Sequence, residues 1–475
     1  MNRSPIIALL LAVVAAATAQ AQISHFQHVV IVFQENRTPD NLFQGLCAPP
    51  FGNARSCSSE PNGSQYDIQT GNWLDNRAPG GTTTPMPVDL VGTYDLGHGH
   101  GSFLRMCDVN PRTGICKMDG DGANSCAGTC PPNPGLRYVQ NTAGVLTPYL
   151  ALATQYGWAN LMFQTNQGPS FPAHQFIFGG TSAPTTADDA AGIFAAENPS
   201  GGQAGCIAKA GTTVAVITPA GPGTPIYPCF EHQTLADLLN SAAVSWRYYA
   251  PNATSIWAAP NAINHLCLPD APAGGKCTGS DWIHNVVLKP SDVLSDIDKC
   301  KLADVSWVVP TGQNSDHPRL NNGGGPSWVA SIVDSIGESP CRSADGSSYW
   351  NSTAIVISWD DWGGWYDHEP PTILSLPRGD YEYGFRVPMI FVSAYTAKGL
   401  VNNERHDFGS ILRFIEHNFG IPEGALNFAD ARATTDLASF FDLRQRPRAF
   451  QHIASPLGAA FFLNDKTPPT DPDDD

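Results

Sequence analysis

The chain is poor in positive charge. Lys and Arg number 26 against 43 Asp and Glu, a formal balance of −17 over 475 residues. A nucleic-acid binder needs a basic face, so that class is excluded, and no nucleic-acid partner is expected. Beyond the N-terminus no uninterrupted apolar run reaches membrane-spanning length. No C-x-x-C pair occurs, which leaves a zinc knuckle or thioredoxin-type site unsupported. No G-x-S-x-G occurs either, and that weighs against an ordinary α/β-hydrolase. There is no internal repeat. Charged residues are 15% of the chain and hydrophobic ones 42%, so it is a core-forming sequence and not a disordered one.

What is present begins with an apolar run at 6–17, preceded by Arg3 and followed by Ala19-Gln20-Ala21. That is the layout of a secretory signal peptide over residues 1–21, with a mature chain near Gln22 and a secreted or periplasmic location. Export makes the 12 cysteines candidates for disulfides. Several lie close to a neighbour in sequence (Cys47 and Cys57, Cys206 and Cys229, Cys267 and Cys277), which suggests local loop staples. Connectivity is left open. Gly 45 and Pro 40 demand long loops.

Short β-branched and aromatic runs lie at 26–33, 305–310, 353–358 and 387–393, as expected of strands buried on both faces. Helical patterns lie at 234–243 and 410–419, the latter stopped by Gly420. Strands alternating with helices predict an α/β sheet flanked by helices, with ligands beyond the carboxyl ends of the strands. Residues 183–300 have fewer such signals and suggest inserted loops and a cap. One catalytic domain is expected over 22–463, then a disordered acidic tail over 464–475.

The chemistry-bearing residues follow the strand runs. Glu35-Asn36 follow the first, and Asp360-Asp361 follow the third. Adjacent carboxylates repel unless a cation lies between them, and a hard divalent ion wants such oxygens. Each pair taken alone fits a helix-capping loop better; the two pairs together, each at a strand end, shift the balance toward a cation. Ser170 stands in a turn between Pro169 and Pro172, with His174 close behind. His98, His317 and His368 each lie in a loop beside Asp, Gly or Pro. The segment D-G-D-G-A-N at 119–124 fails the EF-hand pattern at its fifth and twelfth positions, Ala123 and Cys130.

Four blocks resemble the motifs of the bacterial phosphoesterase family, which holds non-haemolytic phospholipases C and secreted acid phosphatases. They are FQHVVIVFQENRTPDNLFQG (26–45), GPSFPAHQFIFGGTS (168–182), ISWDDWGGWYDHEPP (357–371) and YGFRVPMIFVS (383–393). The resemblance implies an alkaline-phosphatase-like α/β sheet with disulfide-stapled loop insertions. It implies one divalent ion (Mg²⁺, Ca²⁺, Mn²⁺ or Zn²⁺) held by Glu35, Asn36, Ser170, Asp360 and Asp361. Ser170 would be the nucleophile toward a phosphate-ester substrate, with His98, His317 and His368 around the phosphate. Many phospholipase members carry Arg where this chain has His174. A sulfatase is the rival chemistry, but its C/S-x-P-x-R motif also ends in Arg. A catalytically inactive binding protein on the same scaffold is the other alternative.

Overall fold

The computed structural model describes residues 25–377 and 379–470. The expected signal peptide at 1–21 lies outside the described residues. Eight strands form one sheet: β1 (His28–Gln34), β2 (Gly157–Phe163), β3 (Trp246–Tyr249), β4 (Val286–Val287), β5 (Val305–Val308), β6 (Thr353–Trp359), β7 (Met389–Val392) and β8 (Leu400–Asp407). Their spatial order is β4-β3-β5-β1-β6-β7-β2-β8. β7 runs antiparallel to both its neighbours and every other pairing is parallel. All seven residues of β1 and of β6 are buried. This explains why they read as continuous apolar runs: a strand covered on both faces has no side to give to polar residues.

Two helix groups cover the sheet. α1 (Ser170–Gly179) packs on α2 (Leu235–Ser241) and α4 (Phe408–Phe419), while α3 (Gly325–Gly337) packs on the Thr147–Gln155 and Asp292–Asp298 helices. α2 starts with a capping box between Thr234 and Asp237, and α4 ends on Gly420 at φ +69°.

The structure adds detail to three sequence expectations. The run at 387–393 forms the antiparallel strand of an otherwise parallel sheet. The segment 183–300 is only in part an insertion: it carries a small three-stranded sheet from Phe194 onward, yet Trp246–Tyr249 and Val286–Val287 build the edge of the main sheet. The stretch from Asn464 to Thr470 is held in place. Asn464 ends a helix, and Gln313 Nε2 donates to Pro468 O at 2.7 Å. The acidic residues after 470 lie outside the described residues.

Six disulfides join Cys47–Cys57, Cys107–Cys116, Cys126–Cys130, Cys206–Cys229, Cys267–Cys277 and Cys300–Cys341. Five close short loops. The sixth spans 41 residues and ties the loop before β5 to the loop before β6. No cysteine is free.

Candidate active site

The sheet register brings the motifs together. Gln34 of β1 stands opposite Trp359 of β6, so Glu35 and Asp360 leave adjacent strands at the same level. On the other side of β1, Val32 pairs with Val308 of β5, and the loop that follows carries His317. Three neighbouring parallel strands thus deliver side chains past one edge of the sheet, the usual ligand position in such folds. Asn36 takes the left-handed region at φ +61°, and its N–H donates to Asp360 Oδ1 at 3.1 Å. Gly363 and Gly364 have φ +62° and +74°, and a Cβ on Gly363 would lie 2.4 Å from Asn36 O. The two glycines let the Asp361 loop press against the Asn36 turn, which explains D-D-W-G-G as a unit.

Ser170 is not in a free turn: it is the first residue of α1. Pro172 falls in the first helical turn, where its missing N–H loses no intrahelical bond. The Phe171 N–H is satisfied by Asn198 Oδ1 at 2.9 Å. Ser170 Oγ lies 3.3 Å from Asp361 Oδ2 and 3.5 Å from Glu35 Oε2. Glu35, Asn36, Ser170, Asp360 and Asp361 are all 0% exposed.

The structure gathers His98 and His317 with them. His98 Nδ1 donates to Leu96 O at 2.8 Å, which leaves Nε2 to accept from Asn36 Nδ2 at 3.2 Å. His98 Nε2 is 4.0 Å from Asp361 Oδ2. The His98 and His317 rings meet edge to face at 6.2 Å. His317 Nδ1 donates to Pro318 O at 2.8 Å, with Asp95 Oδ2 at 3.6 Å.

His368 is placed elsewhere. Its Nδ1 pairs with Asp40 Oδ2 at 2.7 Å and its Nε2 with Asp67 Oδ1 at 3.0 Å. Arg386 closes that cluster, with Nε 3.0 Å from Asp367 Oδ1 and Nη1 2.9 Å from Asp67 Oδ2. Burial alone would push His368 down, but Asp40 and Asp67 carry it up to about 10. Both its nitrogens are committed to carboxylates, so it is not among the groups facing Ser170.

The residue that sequence reasoning passed over is His174. It lies one turn after Ser170 on the same helix face, and its Nε2 is 3.4 Å from Glu35 Oε1 and 3.7 Å from Asp360 Oδ2. The four-residue spacing was the available signal, but it carries weight only once 170–179 is known to be helical.

Burial drives the Glu35 carboxyl well above its usual range, and Asp360 adds to the shift; Asp361 is raised by the same two causes. Burial also pushes the His174 imidazolium down to about 4. Among the described residues no Lys or Arg is paired with these carboxylates. Glu35 Oε1, Asn36 Oδ1, Asp360 Oδ2 and His174 Nε2 are buried without a hydrogen-bond partner. Buried polar atoms ordinarily find partners, so four such atoms in one place fit a cation. Glu35, His174 and Asp360 each present a donor atom within 4.8 Å of the others.

A cavity of about 370 Å³ lies beside this place, lined by His98, Arg105, Pro169, Glu197 and Asn198. A larger cavity of about 1040 Å³, lined by Phe194, Tyr381, Phe428 and the Asp189–Arg432 pair, touches neither Ser170 nor the carboxylates. The smaller one is not lined by Ser170 or the carboxylates either, but it lies nearer the site, bordering His98 and Pro169, the residue before Ser170.

The fold is an α/β sheet with a serine at a helix start, among carboxylates that follow strand ends. The chain belongs to the Phosphoesterase family, whose model matches residues 26–422. It is similar to phospholipase C A of Mycobacterium tuberculosis, 25% identical over 250 residues, covering 48% of this chain and 47% of that one. Hemolytic phospholipase C of Pseudomonas aeruginosa is 23% identical, covering 63% and 42%. Non-specific phospholipase C1 of Arabidopsis thaliana is 27% identical, covering 28% and 27%. The chain spans about half or less of the length of these curated relatives. A solved structure from Vibrio parahaemolyticus, described as a protein in the alkaline phosphatase superfamily, is similar at TM-score 0.32 and 12% identity, covering 58% of this chain and 60% of that one.

Proposed function

We propose that the chain hydrolyses phosphate esters through Ser170. One observation carries this reading: the Ser170 hydroxyl sits at a helix N-terminus, in contact with two buried carboxylates that have no arginine or lysine partner among the described residues. Glu35, Asn36, Ser170, Asp360 and Asp361 would hold one divalent ion. That ion would neutralise charge on the phosphate oxygens and lower the pKa of the serine hydroxyl. The donors suit Mg²⁺, Ca²⁺, Mn²⁺ or Zn²⁺. Asn36 joins the two halves of the site: its N–H donates to Asp360 Oδ1 while its Nδ2 holds His98.

Ser170 Oγ attacks phosphorus in line. Its proton passes toward Asp361 Oδ2, the nearest acceptor. The Ser170–phosphorus bond forms as the bond to the substrate's alcohol oxygen breaks. His317 protonates that leaving oxygen: its Nδ1 is anchored on Pro318 O, and Asp95 is placed to stabilise the imidazolium. Water then attacks the phosphoserine and gives a proton to His317; the Ser170 Oγ–phosphorus bond breaks, Asp361 returns its proton to Ser170 Oγ, and phosphate departs. Positioning and charge stabilisation do most of the work in such transfers. The dry, rigid cluster supplies both.

Six disulfides favour an oxidising compartment, so we assign the protein to the exterior or periplasm. N-terminal sequencing of exported protein checks this; recovery of Met1 rejects the leader. The activity is tested on metal-analysed protein with a panel of nitrophenyl phosphate, a phosphodiester, phosphorylcholine and a sulfate ester. Acid-quenched enzyme should carry one added phosphoryl group, mapped to Ser170. Turnover of the sulfate ester alone overturns the reading.

A further inference from the structure

We propose that His174 is a nitrogen donor to the cation of this site and shifts its preference from magnesium and calcium toward zinc-type ions. This rests on the divalent-cation reading given above. The argument starts from the proton on the far side of the ring. Tyr248 has one hydroxyl proton, and it goes to Trp257 O at 2.7 Å. Toward His174 Nδ1, 3.4 Å away, the tyrosine oxygen can therefore only accept. Nδ1 carries the proton, and Nε2 is left with a bare lone pair.

That lone pair points at Glu35 Oε1 and Asp360 Oδ2, at 3.4 and 3.7 Å, in a place 0% exposed. Three electron-rich atoms facing one another repel strongly away from water unless a proton or a cation lies between them. A shared cation removes the repulsion and satisfies all three. Donors about 2.1 Å from one ion lie roughly 3.0–3.4 Å apart, near the spacing seen. The ring is held for this role: Phe33 meets it edge to face at 6.2 Å and Trp257 stacks on it at 6.5 Å. A hydrogen bond to the second nitrogen is the usual support of a ligating imidazole. Carboxylate and amide oxygens alone suit hard ions; an added imidazole favours zinc and its neighbours.

The test is direct titration of metal-stripped, full-length protein with Zn²⁺, Mn²⁺, Mg²⁺ or Ca²⁺ alone. His174→Ala should weaken zinc binding by about 100-fold or more and change calcium and magnesium binding by less than about threefold. Tyr248→Phe, which keeps the imidazole, should weaken zinc binding by about tenfold. X-ray absorption at the zinc edge should show an imidazole signature in wild type that His174→Ala loses. Unchanged zinc affinity in His174→Ala, or an equal loss for all four ions, overturns the proposal. If His174→Ala does not fold, an unchanged zinc affinity in Tyr248→Phe overturns it. Wild type that binds none of the four ions overturns the cation reading of the whole site, a result distinct from failure of the His174 role.

Discussion

Two buried acidic clusters in this molecule draw on the same two motifs, with Asp67 added to one of them. Glu35 and Asp40 are five residues apart; so nearly are Asp361 and Asp367. Each cluster holds three carboxylates. In the Asp40, Asp67 and Asp367 cluster the fold supplies the positive charge, from Arg386 and His368. Arg386 and His368 hold Asp67 below the usual carboxylate range, although burial works against them, while burial pushes Asp367 up to about 7 despite Arg386. In the Glu35, Asp360 and Asp361 cluster no arginine or lysine enters among the described residues, and several donor atoms lack partners. Carboxylates neutralised from within make a clamp between loops. Carboxylates left without an internal cation make a place for an external one.

This contrast can be broken in order of expected effect. Ser170→Ala should lower phosphate-ester turnover by about 10⁴-fold or more with the melting temperature unchanged. Activity within tenfold of wild type would remove Ser170 from the mechanism. Arg386→Met leaves three buried carboxylates around one histidine, and equilibrium urea unfolding should report a loss of about 3–5 kcal/mol. A loss below about 1 kcal/mol would deny the clamp its structural role.

The histidines sharpen the comparison. His317→Ala should cost about 10²-fold or more, with the largest losses on poor leaving groups. His368→Ala should cost stability and act evenly on all leaving groups. A leaving-group dependence in His368→Ala would return that residue to the chemistry. The smallest effect is in pH. His368 is raised from 6.5 to about 10 in the folded state, so its contribution is full below pH 6.5 and fades as pH rises toward 10. His368→Gln should flatten stability across that window; an unchanged profile would reject the charged His368 pair.

Much of the fold was legible because fully buried strands leave an unmistakable apolar run. β1, β5, β6 and β7 were found that way. β8 was not, since an edge strand such as LVNNERHD is half exposed and its residues alternate irregularly. β2 was missed because Asn160 interrupts it, a residue committed to bonds with Asp67 N and Gln65 O. The direction of β7 was not legible either, because apolar runs look the same whichever way they run.

The sequence by itself determined which residue types stand at the strand ends, and family motifs marked them as one site. Only the tertiary structure decided which histidines face it. His98, His317 and His368 have equivalent local contexts, so sequence could not rank them. The Gly363-Gly364 turn and the pull of Asp40 and Asp67 carry His368 into the clamp, while α1 turns His174 inward beneath Ser170. Chain direction and helix phase set where a side chain points, and neither is written in the few residues around it.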